Sequence, residues 1–296
     1  MPARLLHHLR PLLVLAVLLL APAALAPGAW AQDGQSRFAG LDGFLVHYKT
    51  WGKEGAPAVI LIHGYTLDHS FWRHQVPALA KTHRVIALDS PGHGDSARPQ
   101  DADYTMTLYA RAVEAVAQDA GVSRAALIGH SMGLPVIHTV VRRGKLGVDK
   151  AVFVDGAILA QPTDPKMRAE HDKFMAAMKE GLRGPDYRLV LEQFFKGFTP
   201  KVPAADLKQM HARLRDADHR MVASTFDHFA DADVWAPARF EVPVLALYAR
   251  MSEAGVKDWL AATYPRHKLL VWDDVDHFPQ LEQPQRVNKE IAEFLK

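Results

Sequence analysis

One serine lies in a local sequence that would make it a nucleophile. Residues 129–133 read Gly-His-Ser-Met-Gly, and an apolar run ends just before them at Ile128. This Gly-x-Ser-x-Gly pattern is typical of a strand that turns sharply into a helix, with the serine on the turn. The flanking glycines let the strand and the helix approach each other. Ser131 is therefore a candidate nucleophile, between a strand over 123–128 and a helix over 134–142.

Four further residues of the right chemical type lie at the ends of apolar runs. A serine hydroxyl is a weak nucleophile unless a base lies within hydrogen-bond reach and another group holds that base. Residues that could take part are His63, Asp89, Asp155 and His277. Ligands of parallel sheets bind beside the carboxyl ends of the strands. If these runs are parallel strands, the four residues and Ser131 border a single ligand site.

The apolar pattern predicts strands that alternate with helices. Strand-like runs cover 44–51, 58–62, 84–89, 123–128, 150–155, 242–248 and 268–272, and helical patterns cover 71–80, 108–120, 134–142, 256–263 and 284–295. The first run alternates between apolar and polar residues, as an antiparallel strand does, while the later runs are continuously apolar, as in buried parallel strands. We therefore predict an α/β fold with a mostly parallel, doubly wound sheet and helices on both faces.

The rhythm of strands and helices is interrupted between residues 158 and 237. Apolar residues recur there at helical spacing, and Gly184-Pro185 and Thr199-Pro200 divide the stretch into separate helices. This pattern predicts an all-helical insertion. We expect most of its methionines and phenylalanines to pack in a core and a minority to line a pocket.

The first 31 residues have the pattern of a secretory signal peptide. A basic start leads into an apolar run over 12–20, and small residues continue up to an Ala-x-Ala sequence that ends at Ala31. A membrane anchor is the alternative, but the apolar run is short for a membrane span, and Pro22 and Pro27 interrupt the stretch after it. We therefore expect an exported protein, periplasmic or secreted, that is cleaved after Ala31 and keeps no stable membrane anchor.

The composition of the remaining chain narrows the possible functions. Removing 31 of the 296 residues leaves 265, enough to bury a sizeable core. The leader holds two of the 35 basic residues and none of the 33 acidic ones, so the mature chain has no net charge. Without a basic block, a nucleic-acid partner is not indicated. The chain has no cysteine for a disulfide or a thiolate metal site, and its histidines show no metal-ligand spacing. We expect neither a metal nor a cofactor.

Together these motifs resemble the α/β-hydrolase fold family, in its serine-nucleophile branch with a helical cap. The residues that carry the resemblance are His63-Gly64, the stretch 89–96 (Asp-Ser-Pro-Gly-His-Gly-Asp-Ser), the stretch 129–133 and Asp276-His277-Phe278, in the family's order. In the family's numbering of strands, the resemblance implies a cap inserted after the sixth strand. It divides the chain into a leader (1–31), a first core part (32–157), a cap (158–237) and a second core part (238–296).

The resemblance also implies roles for individual residues. His277, between the last predicted strand and the last predicted helix, would be the base for Ser131. The backbone N–H groups of Tyr65 and Met132 would form the oxyanion hole, and Met132 would lie at a helix N-terminus, whose dipole favours negative charge. His63, His93 and His130 would belong to the turns around the site, and Asp89 and Asp95 would stabilise turns.

The acidic residue of the triad has two candidates. Family members usually carry an aspartate shortly after the strand read here as 242–248, but residues 249–253 contain none. Ser252 takes the usual position, and Glu253 is next to it. Some members instead carry the acid at the end of the preceding strand, which here is Asp155. Both Asp155 and Glu253 remain possible at this point.

The resemblance implies a serine hydrolase that forms an acyl-enzyme on Ser131. The expected substrate is a carboxylic ester or a lactone, with a small or medium acyl group admitted under the cap. Hydrolysis of an amide or a carbon–carbon bond and cofactor-free perhydrolysis remain alternatives. A serine nucleophile excludes the aspartate-nucleophile branch of the family. A non-catalytic ligand-binding protein on the same fold is the alternative from another functional class. The oligomeric state is not predicted.

Overall fold

The computed structural model describes residues 34–158, 164–252 and 255–296, which contain an eight-stranded sheet. Its strands are β1 (Gln35–Leu41), β2 (Phe44–Trp51), β3 (Ala58–Ile62), β4 (Arg84–Leu88), β5 (Arg124–His130), β6 (Gly147–Val154), β7 (Val244–Ala249) and β8 (His267–Trp272). They lie in the order β1-β2-β4-β3-β5-β6-β7-β8, and only the pairs that include β2 are antiparallel. The predicted mostly parallel α/β architecture is confirmed.

Helices connect the strands and cover the sheet. They are α1 (Val76–Leu79), α2 (Met106–Asp119), α3 (Gly133–Arg143), α4 (Pro165–Arg183), α5 (Tyr187–Lys196), α6 (Ala204–Asp216), α7 (His219–Asp227), α8 (Ala232–Trp235), α9 (Val256–Thr263), α10 (Pro279–Glu282) and α11 (Pro284–Leu295). Among the described helices, none combines the length and the hydrophobicity that a transmembrane span requires.

The central strands are buried on both faces, which explains why their sequences are continuous apolar runs. In β3, Ile60 and Ile62 belong to the hydrophobic core on one face, and Val59 and Leu61 belong to the core on the other. The first core includes buried side chains of α2, α3 and α9, and the second includes those of α1 and α11. Helices therefore cover both faces, as the α/β pattern predicts.

The first strand was not among the predicted elements. β1 pairs antiparallel with β2 through all seven of its residues. Its burial is limited to Ala39 and Leu41, while Phe38 is 48% exposed. Such a short alternation of buried and exposed residues is difficult to distinguish from a loop before the partner strand is known.

The predicted helix over 71–80 is wrong. The structure has a 3₁₀ turn at His69–Trp72 and the separate short helix α1. A continuous helix from 71 would place Pro77 in its interior. There the proline ring would clash with the carbonyl group four residues earlier. The proline instead lies in the first turn of α1, where the missing N–H group has little cost.

The residues described between β6 and β7 are helical wherever they form regular structure. They comprise α4 to α8, in the place where the sequence predicts an all-helical insertion. Residues 159–163, near the predicted start of that insertion, lie outside the described part, as do residues 1–33 with the predicted signal peptide. The domain boundaries at 157/158 and 237/238 therefore stay predictions.

A buried carboxylate joins three segments at the carboxyl end of β4. Asp89 accepts hydrogen bonds of 2.8 Å from the Nδ1 atoms of His47 and His69 and from the backbone N–H of His69. It also accepts one of 3.0 Å from the N–H of Asp95. Burial alone would raise the pKa of Asp89, but the bonds from the two histidines hold it below its usual range. This saturated network fixes the turns beside the predicted site.

Candidate active site

Ser131 lies on the sharp turn between β5 and α3. Its φ is 51°, a left-handed conformation that costs a non-glycine residue about 1 kcal/mol or more. A Cβ atom on Gly129 would lie 2.6 Å from the carbonyl carbon of Gly133, and one on Gly133 would lie 2.6 Å from the carbonyl oxygen of Ile62. Both positions therefore require glycine, as the sequence pattern predicts, and the turn presents the serine beyond the sheet edge.

The side chain of His277 connects Ser131 to a carboxylate. Its Nε2 atom lies 2.9 Å from Oγ of Ser131, and its Nδ1 atom lies 2.5 Å from Oδ2 of Asp155. A carboxylate can only accept a hydrogen bond, so Nδ1 carries the proton in the neutral ring. Nε2 is then free to accept the proton of the serine hydroxyl. The arrangement is that of a nucleophile, a base and a group that orients the base.

Asp155 lies directly after β6 and is almost completely buried. Its φ of 43° is left-handed, a conformation in which aspartate is several times more common than most residues. Its Oδ1 atom accepts a hydrogen bond of 2.8 Å from the N–H of Ala249, and its Oδ2 atom accepts one of 2.7 Å from Oγ of Ser252. The carboxylate is thus held by the end of β7 as well as by His277.

The structure brings one of the two candidate acids into contact with the base. Within the described residues, Asp155 is the carboxylate that hydrogen-bonds to His277. Glu253, the alternative, lies outside the described residues. Asp276, although adjacent to His277 in sequence, pairs with Lys201 at 3.0 Å. The geometry favours Asp155, and the catalytic roles of all three triad residues stay predictions.

Two side chains hold the backbone around His277, and one of them, Glu282, was not identified by the sequence analysis. Glu282 accepts hydrogen bonds from the N–H groups of Asp276 (2.6 Å) and Phe278 (3.2 Å), one to each carboxylate oxygen. Burial raises the pKa of Glu282. Nε2 of His130 donates to the carbonyl oxygen of His277 over 2.8 Å. The only local signal for Glu282 was its position shortly after the histidine, at the start of the last helical region.

The histidines predicted to belong to the surrounding turns make such contacts. His63 donates from Nδ1 to the carbonyl oxygen of Gly64 (2.7 Å) and accepts at Nε2 from the N–H of Ser90 (2.9 Å). Burial lowers the pKa of His130 well below its ordinary value, and the nearby His277 lowers it further. Burial and the neighbouring His63 lower the pKa of His93 to about 3. These rings therefore stay neutral and act as structural donors and acceptors.

The predicted oxyanion hole consists of the N–H groups of Tyr65 and Met132. Met132 is the N-cap of α3, and Tyr65 comes after β3 in a loop where Thr66 has a left-handed φ of 61°. Among the backbone hydrogen bonds of the described residues, neither N–H group is a donor. Both are therefore available to an anionic oxygen next to Ser131. Their role stays a prediction.

A largely apolar cavity of about 230 Å³ adjoins Ser131 and His277. The helical segment between β6 and β7 contributes six of the phenylalanines that line it, which are Phe174, Phe194, Phe195, Phe198, Phe226 and Phe229. We expected a minority of the methionines and phenylalanines of the insertion to line a pocket, and this is wrong, because all six of its phenylalanines line the cavity. No lysine or arginine among the described residues lines the cavity.

The same helical segment is bonded to the loops that carry the site. The hydroxyl group of Tyr65 donates to the carbonyl oxygen of Val222 in α7 over 2.6 Å. Burial raises the pKa of this tyrosine well above its ordinary value, so it remains a donor. Lys201, between α5 and α6, donates to Asp276 beside the catalytic histidine candidate over 3.0 Å. The helical segment is therefore hydrogen-bonded both to the loop after β3 and to the loop that carries His277.

Comparison with known proteins agrees with the fold. A sequence model described as the alpha/beta hydrolase family matches residues 59–290, which is most of the chain. The chain belongs to the alpha/beta hydrolase family. The match begins in β3 and ends in α11, so it contains every residue of the candidate site. The expectation of a hydrolase on this fold is confirmed at the level of the family.

Individual relatives differ in the activities that their names describe. The dihydrolipoyllysine-residue acetyltransferase component of the acetoin cleaving system of Pseudomonas putida is 27% identical over 280 residues, covering 90% of this chain and 70% of that protein. An esterase from Exiguobacterium antarcticum has a TM-score of 0.77 at 17% identity, covering 88% of this chain and 99% of its own. A bromoperoxidase from Bacillus anthracis has a TM-score of 0.75 at 20% sequence identity, covering 88% of this chain and 99% of its own. These two structures show the fold alone.

The identity of the acid can be tested by paired amide substitutions. We expect Asp155→Asn to lower the rate at which Ser131 reacts with a fluorophosphonate probe by orders of magnitude, about 10⁴-fold, because the amide favours the wrong tautomer of His277. Glu253→Gln should change the rate little. Thermal unfolding of each variant verifies that it is folded. The reverse pattern in the two folded variants would move the acid to Glu253.

Proposed function

We propose that this hydrolase cleaves a carboxylic ester or a lactone through an acyl-enzyme on Ser131. The observation that supports the proposal most directly is the continuous hydrogen-bonded series from Oγ of Ser131 through His277 to Asp155. A serine activated in this way attacks carbonyl carbons. A non-catalytic binding protein would have no need for a left-handed serine hydrogen-bonded to an imidazole.

Each step of the reaction can be assigned to a group of the site. As Oγ of Ser131 bonds to the carbonyl carbon, Nε2 of His277 takes its proton, and the carbonyl oxygen becomes an anion that the N–H groups of Tyr65 and Met132 stabilise. An oxyanion donor of this kind is worth about 3–4 kcal/mol of the barrier. His277 then protonates the leaving alcohol as the carbon–oxygen bond breaks. A water molecule, deprotonated by the same nitrogen, releases the acid and restores the serine.

The cavity favours an uncharged substrate of limited size. Its volume of about 230 Å³ is below the range of about 300–1,000 Å³ that is common for ligand pockets. Its aromatic lining would leave a charged acyl group without a partner, which is costly in an apolar environment. We therefore propose that the helical segment acts as a cap that admits small or medium apolar acyl groups. Nucleic acid is not a proposed partner.

A chemical probe tests the proposal directly. We expect a fluorophosphonate to label the wild-type mature chain and to fail with Ser131→Ala and His277→Ala, because the first lacks the nucleophile and the second lacks its base. Labelling is measured by intact mass. A panel of p-nitrophenyl esters of increasing acyl length, with lactones, anilides and a peracid assay beside it, then identifies the bond that is cleaved.

Two results would contradict the proposal. Labelling that persists in Ser131→Ala would place the nucleophile elsewhere. A folded wild-type protein that neither reacts with the probe nor hydrolyses any ester or lactone would favour the alternatives, either a non-catalytic ligand-binding protein or another reaction of the family.

The limit on acyl size can be tested at the centre of the phenylalanine group. Phe194 lines the cavity and packs against Phe195, Phe198 and Phe226, with ring centroids 5.0–6.4 Å apart. We expect Phe194→Ala to raise the ratio of kcat/KM for an octanoate ester to that for a butyrate ester about tenfold, because the longer chain gains apolar contacts in the enlarged cavity. Leu189→Ala is the matched control.

Leu189 lies on the same helix as Phe194 but is 57% exposed. Its truncation should leave the ratio of the two esters unchanged. An unchanged ratio in Phe194→Ala, or an equal rise in both variants, would show that the phenylalanine group does not determine the acyl length.

We also propose that the protein is exported and that its leader is removed after Ala31. The support is the basic start, apolar middle and Ala-x-Ala end of residues 1–31. Expression of the full chain in a Gram-negative host should yield a periplasmic or secreted protein whose mass corresponds to a start at Gln32. Recovery of the uncleaved chain in the membrane fraction would instead support the anchor.

A further inference from the structure

A hydroxyl group after β7 contacts the carboxylate that orients the base. We propose that Ser252 is a positioning residue, which holds Asp155 in the orientation that His277 requires. This proposal rests on the proposed serine-hydrolase function. Oγ of Ser252 donates to Oδ2 of Asp155 over 2.7 Å, and Nδ1 of His277 donates to the same oxygen over 2.5 Å. One oxygen atom therefore serves both partners.

Both carboxylate oxygens of Asp155 accept hydrogen bonds from the end of β7 and the turn that follows it. The N–H of Ala249 donates to Oδ1 over 2.8 Å, while Ser252 donates to Oδ2. The terminal torsion of an aspartate side chain is broad, so a single backbone donor restrains the carboxylate plane weakly. With the hydroxyl group as a second donor, the orientation of the carboxylate plane does not depend on the contact with His277 alone. Without that donor, rotation of the carboxylate would carry the imidazole away from Ser131.

The chemical type of residue 252 suits this role. Ser252 occupies the position at which the resemblance implies that other family members carry the acid, and a second carboxylate there would repel the buried charge of Asp155. A hydroxyl group instead donates to that charge, and hydrogen bonds to an ionised acceptor are about twice as strong as those between neutral groups. The serine therefore supports the acid without competing with it for the base.

The other titratable and charged groups near this contact are the same in all variants of the test. They are the neutral rings of His130 and Tyr248, the carboxylate of Glu282, the pair of Lys201 with Asp276 and the pair of Arg250 with Asp273. Burial keeps the pKa of Tyr248 well above its ordinary value, and its hydroxyl donates to the carbonyl oxygen of Gly156. Oγ of Ser252 donates to Oδ2 of Asp155. A change at residue 252 is therefore expected to alter the pH profile through Asp155.

The test compares Ser252→Ala with Ser252→Thr in the full mature chain, with the best ester of the panel. Loss of one hydrogen bond to a charged group should lower kcat about tenfold in Ser252→Ala while KM changes by less than about twofold. The acid limb of the pH profile of kcat/KM should also move to higher pH. A carboxylate that has lost a donor attracts the imidazolium more strongly, so the inactive protonated enzyme persists further up the pH scale. Ser252→Thr keeps the hydroxyl group and should restore most of both properties.

The possible results separate this proposal from the proposed function. A Ser252→Ala variant with wild-type kcat and an unmoved acid limb would overturn the role of Ser252 while leaving the hydrolase intact. Equal losses of kcat in the alanine and threonine variants, with no shift of the acid limb of the pH profile, would also overturn it. That pattern would indicate a packing effect and not a lost hydrogen bond. A wild-type chain that is inactive toward every ester and the fluorophosphonate would overturn the proposed function itself.

Discussion

The chemistry of the site depends on the hydrogen bond between Nδ1 of His277 and Oδ2 of Asp155, which measures 2.5 Å. It selects the tautomer in which Nε2 has a free lone pair, and it directs that nitrogen at the hydroxyl of Ser131. It also places a carboxylate where the imidazolium would form in the proposed reaction. The bond joins residues separated by 122 positions in the chain, so the sheet must hold the ends of β6 and β8, on either side of β7, in register for it to exist.

Backbone strain at the same sheet edge is the cost of this arrangement. Ser131, Asp155 and Thr66 all have left-handed φ values, between 43° and 61°. Each costs of order 1–3 kcal/mol and persists only where the surroundings impose it. Hydrogen bonds of the neighbouring strands supply that constraint, since the N–H of Ser131 donates to Val154 over 3.2 Å and the N–H of Asp155 donates to Leu247 over 2.7 Å. Residues directly after interior strands can therefore keep a strained backbone conformation that an isolated loop would relax.

Much of the fold could be predicted from the sequence because burial on both faces leaves a local signature. The continuous apolar runs gave β3 to β8 nearly at their observed bounds, and helical spacing gave α2, α3, α9 and α11. β1 was not predicted because its few buried residues, Ala39 and Leu41, are recognisable as part of a strand only once its pairing with β2 is known. The helix expected over 71–80 is wrong because Pro77 would lie in its interior, whereas it is tolerated in the first turn of α1. The cavity under α4 to α8 depends on how those helices pack, which no local spacing encodes.

The triad acid shows where local patterns stop being informative. A carboxylate at either of two strand ends could reach the base, and the sequence offers Asp155 at one and Glu253 beside the other. The feature that favours Asp155 is its hydrogen bond to His277, made across 122 residues, and the hydroxyl group of Ser252 contacts the same Oδ2 atom across 97 residues. A serine is among the least diagnostic of residues in a sequence, because most serines lie in turns. Only next to a buried carboxylate does its hydroxyl acquire a function, and that neighbour is determined by the order of β6 and β7 in the sheet.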